Sequence, residues 1–283
     1  MVDLDAGLDY NLVEIGGAVA RAREFQSEVV GVESVMGDSV LLTATAPTAM
    51  LATVRAGHFF DILCRVDGSY DPLLRRPYSV FRTDPAAGTM TFLVRPFGRG
   101  SAWLAARPVG TALDLLGPLG NGYSIAPRAR NLLMVGGGIG VAPLVMLSDE
   151  AIGRGLNVAL LMGSVNAAGL LPPSLLADRV EYAVATDDGE KGHRGFVTDL
   201  VASYVGNRWA DQIFACGPEA MYRSLRAAVH PHRLGGRPTV QVSMEREMAC
   251  GLGACLGCVV ETRHGMQTSC VQGPVFDMDE VVW

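Results

Sequence analysis

The sequence has no block rich in lysine or arginine, and its formal net charge is −6. A nucleic-acid partner calls for a basic stripe that neutralises phosphates, so that class of function is set aside. No basic residue precedes Arg21, while Asp3, Asp5 and Asp9 lie near the start. That pattern fits neither a secretory signal nor a transit peptide. No stretch reads as a membrane span, which needs about 20 predominantly apolar residues. Two long stretches lack charge, Asn131–Ser148 and Gly155–Ala177. The first is interrupted by four glycines and Pro143, the second by Asn157, Asn166 and the Pro172-Pro173 pair. Both read as buried strands with their loops. No internal repeat and no low-complexity segment is visible. The five histidines show no metal-ligand spacing, and His58 and His193 read as structural or surface groups.

At 283 residues and 49% hydrophobic composition, the chain can bury two cores, or two and a small third. Residues 1–25 read as an N-terminal extension. From 26 to 125 short β-rich runs follow, Gln26–Val35, Ser39–Ala46, His58–Val66, Tyr78–Thr83, Met90–Val94 and Ala112–Leu116. Regular short strands with turn signals between them predict an antiparallel barrel. Ser101 is the expected N-cap of a short helix over Gly100–Ala106. From 126 to 239 strands alternate with helices: strand Asn131–Val135, helix Ala142–Arg154, strands Asn157–Met162, Val180–Thr186 and Gln212–Ala215, and helix Glu219–Val229. This alternation predicts a parallel α/β sheet. The last region, 240–283, reads as a small metal-binding domain.

That region carries the chain's most specific signal. Cys250, Cys255 and Cys258 stand as C-x4-C-x2-C, and Cys270 follows after eleven residues. Plant-type ferredoxins hold a 2Fe-2S cluster with this spacing. Gly251, Gly253 and Gly257 supply the backbone freedom that a tight wrap needs. Zinc is the main rival, but its structural sites favour paired C-x2-C elements, and only Cys255 and Cys258 form one. Disulfides are the third reading. A cluster of four among six cysteines fits a cytosolic metal protein better than a secreted disulfide scaffold.

Three further motifs admit both a functional and a structural reading. Gly136-Gly137-Gly138-Ile139-Gly140 follows a strand and opens a helix, where backbone N–H groups can meet a phosphate. It does not complete G-x-G-x-x-G, and a tight strand–helix turn explains it equally well. No acidic residue closes the following strand to hold a ribose, and no arginine stands there for a 2′-phosphate. In Arg75-Arg76-Pro77-Tyr78-Ser79 the guanidinium suits a pyrophosphate, the phenol can stack on a flat ring and the serine can hydrogen-bond to it. A solvated loop entering an edge strand is the alternative. Arg95 and the Gly100-Ser101 pair lie downstream at the next strand end and helix start. Cys216-Gly217-Pro218 closes the fourth α/β strand, where such sheets bind ligands, although a buried thiol is the simpler account. Cys64 and the methionines, Met244 and Met248 among them, read as core.

RRPYS, GGGIGVAP and CGPEAM lie in an order that resembles the ferredoxin reductase superfamily. Its members pair an FAD-binding β-barrel with an NAD(P)-binding α/β domain. The segments LLRRPYSV, LLGPLGNGY, LLMVGGGIGVAPL, GFVTDL, CGPEAM, MEREMACGLGACLGC and VQGPVF narrow the match. From about residue 26 to the end, the chain is similar to the electron-transfer subunits of type B dihydroorotate dehydrogenases. The resemblance implies that Arg76, Pro77, Tyr78 and Ser79 contact FAD, with Tyr78 standing where an aliphatic residue is expected. It implies Leu93, Val94 and Arg95 as a second flavin-contacting strand, and Gly100 and Ser101 as a Gly-Thr-like pair. Gly136, Gly137, Gly138, Gly140, Cys216, Gly217 and Pro218 match the NAD side, and the four cysteines match the cluster ligands. It also implies a cytoplasmic oxidoreductase subunit of pyrimidine biosynthesis, with no substrate acid or base of its own. The implied partner is an FMN-containing catalytic dihydroorotate dehydrogenase subunit, in a heterotetramer of two of each. An NAD(P)H–ferredoxin or hydrogenase-linked reductase subunit on the same modules, and a zinc-binding structural module, remain as alternatives.

Overall fold

The computed structural model describes residues 22–66, 68–233, 235 and 238–283. Residues 1–21 of the expected extension lie outside the described residues. Six strands close into an antiparallel barrel: β1 (Arg23–Ser34), β2 (Val40–Thr45), β3 (Phe59–Ile62), β4 (Arg76–Asp84), β5 (Thr89–Val94) and β6 (Ala112–Leu119). Their spatial order is β1-β2-β5-β4-β3-β6. β1 begins at Arg23, inside the segment read as an extension, because Arg23–Phe25 pair with Leu115–Gly117 of β6. Two short helices, α1 (Thr48–Leu51) and α2 (Arg99–Ala105), pack Leu51 and Leu104 against the barrel core.

Strand alternation sorts the barrel residues between two cores. Leu42, Phe60, Ile62, Phe92 and Leu115 point inward. Phe60 meets Phe25 and Phe92 edge-to-face, with centroids 6.1 and 6.0 Å apart. Each such side chain contributes about 1.5–3 kcal/mol by leaving water. A Cβ at Gly117 would fall 2.3 Å from the Phe60 ring, so this position on β6 admits only glycine. The neighbours on alternate positions, Leu41, Phe81 and Leu93, leave the barrel and join the core of the next layer. The barrel is thereby fused to the sheet by apolar packing.

That sheet contains β7 (Asn131–Gly137), β8 (Asn157–Ser164), β9 (Val180–Thr186), β10 (His193–Arg194), β11 (Gln212–Cys216) and β12 (Thr239–Ser243). It is covered by helices α3 (Ala142–Gly153), α4 (Val197–Gly206) and α5 (Glu219–Val229). Its central strands β7, β8 and β11 are mainly apolar, as strands covered on both faces must be; β11 is buried at every position. The order is β10-β9-β8-β7-β11-β12, all parallel. Chain order therefore reverses between β7 and β11, and ligands of open α/β sheets bind at the carboxyl ends of strands flanking such a point. α4 is absent from the sequence reading. It starts at the β-branched pair Val197-Thr198, which is a weak helix signal. Its cap comes from inside the first turn, where Asp199 Oδ2 accepts the Phe196 N–H at 3.0 Å.

The C-terminal region does not stand apart from this sheet. β12 belongs to the sheet, although residues 240–243 were expected in the metal domain. After the hairpin β13 (Val259–Thr262) and β14 (Gly265–Thr268), β15 (Val275–Asp277) returns to pair antiparallel with β12. No helix of the described residues is long and apolar enough to cross a membrane.

Candidate redox site

A groove of about 650 Å³ opens where barrel, sheet and cysteine-bearing segment meet. Arg76–Ser79 of β4 form one wall, with Leu93 of β5 and Arg95 just past its end beside them. Ile139 and Ala142 supply the sheet side. Ser243, Glu245, Arg246, Glu247 and Met248 form the remaining wall. Clefts of this size hold cofactors.

The expected residues take different places. Arg76 holds its guanidinium by donating to the carbonyls of Leu74 and Arg75, at 2.8 and 3.1 Å. Gly100 admits the Arg76 stem, which a Cβ there would approach to 3.3 Å. The Tyr78 hydroxyl faces the buried Cys64 thiol, which links this strand to the barrel interior. Val94 does not line the groove: β5 alternation turns its side chain into the barrel core. Ser101 is not the N-cap of α2. It lies at the third helical position, where its Oγ accepts the N–H groups of Phe97 and Gly98 at 2.8 and 2.9 Å.

The two glycine turns at the strand-order reversal interlock. A Cβ on Gly140 would lie 2.5 Å from the Cys216 carbonyl oxygen, and one on Gly137 would lie 2.7 Å from Pro218. These glycines serve close backbone approach between the ends of β7 and β11. Gly136 packs against Val141 inside its own turn, and Gly217 against Met221 of the following helix and the Gly137 backbone. Gly138 differs. Its φ is +54°, which glycine adopts at no steric cost, and its outward side is open. It is the place in this turn where a phosphate can approach the backbone.

Sequence reasoning missed the polar groups behind the groove. The Cys216 thiol donates to Glu245 Oε1 at 3.4 Å. Tyr222 Oη accepts the Gly217 N–H at 2.9 Å and donates to the Ser243 carbonyl. Ser243 Oγ is buried without a hydrogen-bond partner among the described residues. Glu245 is open to the groove solvent, yet protein atoms enclose it on its other sides. Burial pushes its carboxyl above the ordinary range, and the Cys216 hydrogen bond opposes that only in part. Cys216 itself is fully buried, and burial, reinforced by Glu245, holds its thiol protonated.

Two residues beyond Met248 the cysteine loop begins. The four thiols stand as two facing pairs, Cys250 with Cys255 and Cys258 with Cys270. Among the described residues no three His, Cys, Asp or Glu side chains gather closely enough to hold one metal ion. Two pairs suit a binuclear cluster with two thiolates on each iron. A tetrahedral zinc would need all four around one point. The loop turns through Gly251, Gly253 and Leu256 at φ of +68°, +77° and +55°. Those turns aim backbone N–H groups at sulfur: Leu252 at Cys250, Gly253 at Cys270 and Gly257 at Cys255, over 3.2–3.4 Å. Burial raises the Cys250 thiol, but the backbone donors Leu252, Cys255 and Ala254 and the Cys255 side chain outweigh it, bringing its pKa to about 7. Burial and the facing Cys258 push Cys270 up to about 12, a cost that ligation to a cation removes. The donor set, turns and N–H groups fit an iron–sulfur cluster.

Residues 245–282 match the family described as the iron-sulfur cluster binding domain of dihydroorotate dehydrogenase B. Over 232 residues the chain is 41% identical to a protein of Bacillus caldolyticus, covering 80% of this chain and 86% of the relative. That relative is the electron transfer subunit of dihydroorotate dehydrogenase B (NAD(+)). This chain belongs to that family. Its Shouchella clausii member is 37% identical over the same length. Among solved structures, the NADH-dependent reduced ferredoxin-NADP oxidoreductase superposes with a TM-score of 0.79 at 27% identity. That match covers 91% of this chain and 90% of the other. The ferredoxin reductase of carbazole 1,9a-dioxygenase shares the fold alone, with a TM-score of 0.65 at 22% identity over 77% of this chain and 68% of the other. The match at 245–282 falls on the loop whose paired thiols are described above.

Proposed function

We propose that the chain is the electron-transfer half of a dihydroorotate-oxidising enzyme, taking electrons from a partner subunit's FMN to NAD⁺. One observation carries this reading. Met248 lines the groove and Cys250, two residues on, opens the cysteine set, so a single short segment joins the two candidate centres. When bound, a 2Fe-2S cluster supplies one-electron chemistry, and FAD pairs electrons into a hydride for NAD⁺.

The chain's own residues bind and orient. Arg76 and Arg95 offer fixed positive charge to a pyrophosphate, and Pro77, Tyr78 and Ser79 form a wall for a planar ring. The open backbone at Gly138 meets a second phosphate, on the nicotinamide side. Glu245, whose carboxyl burial raises against the opposing Cys216 hydrogen bond, places a titratable group at the groove wall. Cys250, Cys255, Cys258 and Cys270 hold the cluster, and their N–H donors stabilise charge on sulfur. We also propose a cytoplasmic location and a complex of two copies of each subunit.

Reconstitution tests the reading. Mixed with its FMN-containing partner, this chain should couple dihydroorotate oxidation to NAD⁺ reduction. Cys255→Ser should abolish NADH formation while leaving orotate formation with an artificial acceptor intact. No association and no coupling at micromolar concentration would replace the proposal with a ferredoxin-linked reductase, the reading the ferredoxin-NADP oxidoreductase likeness favours.

A further inference from the structure

Asp61 is a carboxylate in an unusual place. It lies on β3 in the apolar run Phe59-Phe60-Asp61-Ile62. Phe60 and Ile62 point into the barrel, so Asp61 and Phe59 point outward, toward the cysteine loop. The loop covers Asp61 until only 1% of it is exposed. Oδ1 has no hydrogen-bond partner among the described residues. Oδ2 lies against Gly251, where a Cβ would come within 2.3 Å of it. Gly251 is the chain neighbour of Cys250. Phe59, Leu116 and Leu119 pack with Cys258 and Cys270 in the same apolar layer. The cation acting on Asp61 is Arg75, which is itself tied to Glu24 and Asp114.

A buried carboxylate with one oxygen unpartnered is costly unless something offsets it. Its charge also acts strongly on its surroundings, because little water screens it. Reducing a 2Fe-2S centre adds one negative charge, and the potential of such centres follows local charge. We infer that Asp61 is a positioning residue whose negative charge lowers the reduction potential of the cluster held by the adjoining loop, making the reduced cluster a stronger donor to the groove. The inference rests on the proposed cluster site.

The test is a potentiometric titration of the whole protein at pH 8, followed by electron paramagnetic resonance. Asp61→Asn should shift the cluster midpoint positive, by at least about tenfold in the oxidised-to-reduced ratio at fixed potential, about 59 mV for one electron. Glu261→Gln, on the exposed side of β13, should leave it in place, since solvent screens that charge. If the wild-type protein holds no iron and sulfide, the cluster reading fails. If it holds them and Asp61→Asn leaves the midpoint unchanged, or Glu261→Gln shifts it equally, the inference about Asp61 fails. Should Asp61→Asn lose the cluster, Asp61→Leu removes the same charge into an apolar surround and must give the positive shift. Loss of the cluster from both variants would overturn the electrostatic role.

Discussion

Cys216 donates its thiol hydrogen to Glu245 Oε1 across 3.4 Å, tying the end of β11 to the segment that leads into the cysteine loop. Burial raises the Glu245 pKa, so this carboxyl keeps its proton to higher pH than one in water. In NADH oxidation with an artificial acceptor, the pH profile of kcat/KM should show a titration above the ordinary carboxylate range. Glu245→Gln should remove it. A profile that survives the substitution unchanged would assign that titration elsewhere.

Arg76 should contribute to flavin retention through a charged hydrogen bond to phosphate. Such bonds are worth about 1.5–3 kcal/mol, which corresponds to about 10- to 150-fold in affinity. Arg76→Ala should weaken FAD binding by that factor, measured by flavin fluorescence on refilling the apoprotein. An unchanged dissociation constant would move the pyrophosphate away from β4.

His58 and Asp61, three residues apart, should oppose each other in the pH dependence of stability. Burial, helped by Arg55, lowers His58 from 6.5 to about 4, and its Nδ1 accepts the Arg55 N–H at 3.1 Å. The unfolded chain binds the extra proton between those values, so this contribution rises with pH from about 4 to 6.5. Burial, opposed by Arg75, raises Asp61 from 3.8 to about 6. There the folded chain binds the extra proton, so its contribution is present at low pH and is lost as pH rises through 6. Each is worth on the order of 3 kcal/mol. They cancel between about pH 4 and 6 in the wild type. Asp61→Asn should therefore be more stable than wild type at pH 8 and lose that margin on acidification to pH 4. Thermal melts across this range measure it, and a variant less stable at pH 8 would contradict it.

Preference for NAD over NADP is expected from the end of β8 and the turn that follows it. Residues 163–167 contain no Arg or Lys, and the Ala167 N–H is taken by the Glu190 carboxylate at 3.0 Å. A 2′-phosphate would find a negative group there instead of a guanidinium. Comparing kcat/KM for NADH and NADPH tests this, and a higher value for NADPH would refute it.

The barrel and sheet are legible because period-two alternation and apolar strands leave a local imprint. Val180–Thr186 and Glu219–Val229 fall where periodicity places them. β13–β15 leave little such imprint, because glycine, cysteine and turn residues break up every run. Within the site, the motifs on β4 and at the ends of β7 and β11 stand out as local strings. Ser243 and Glu245 do not, since only tertiary folding carries them to the groove wall opposite Arg76. The inward turn of Val94 was readable: Phe92 and Val94 share one face of β5, and Leu93 has the other. Asp61 also left a signal, as the one carboxylate within the apolar run His58–Cys64.

The pairing of β15 with β12 bears on how electrons move. Gln241 lies opposite Asp277 and Ser243 opposite Val275, so the chain leaves the sheet and re-enters it at adjacent positions. Everything between, including all four cysteines, is a closed excursion with both feet on one rigid base. Such a tether differs from the single flexible linker of shuttle domains, because the cysteine segment is held to the sheet at both of its ends.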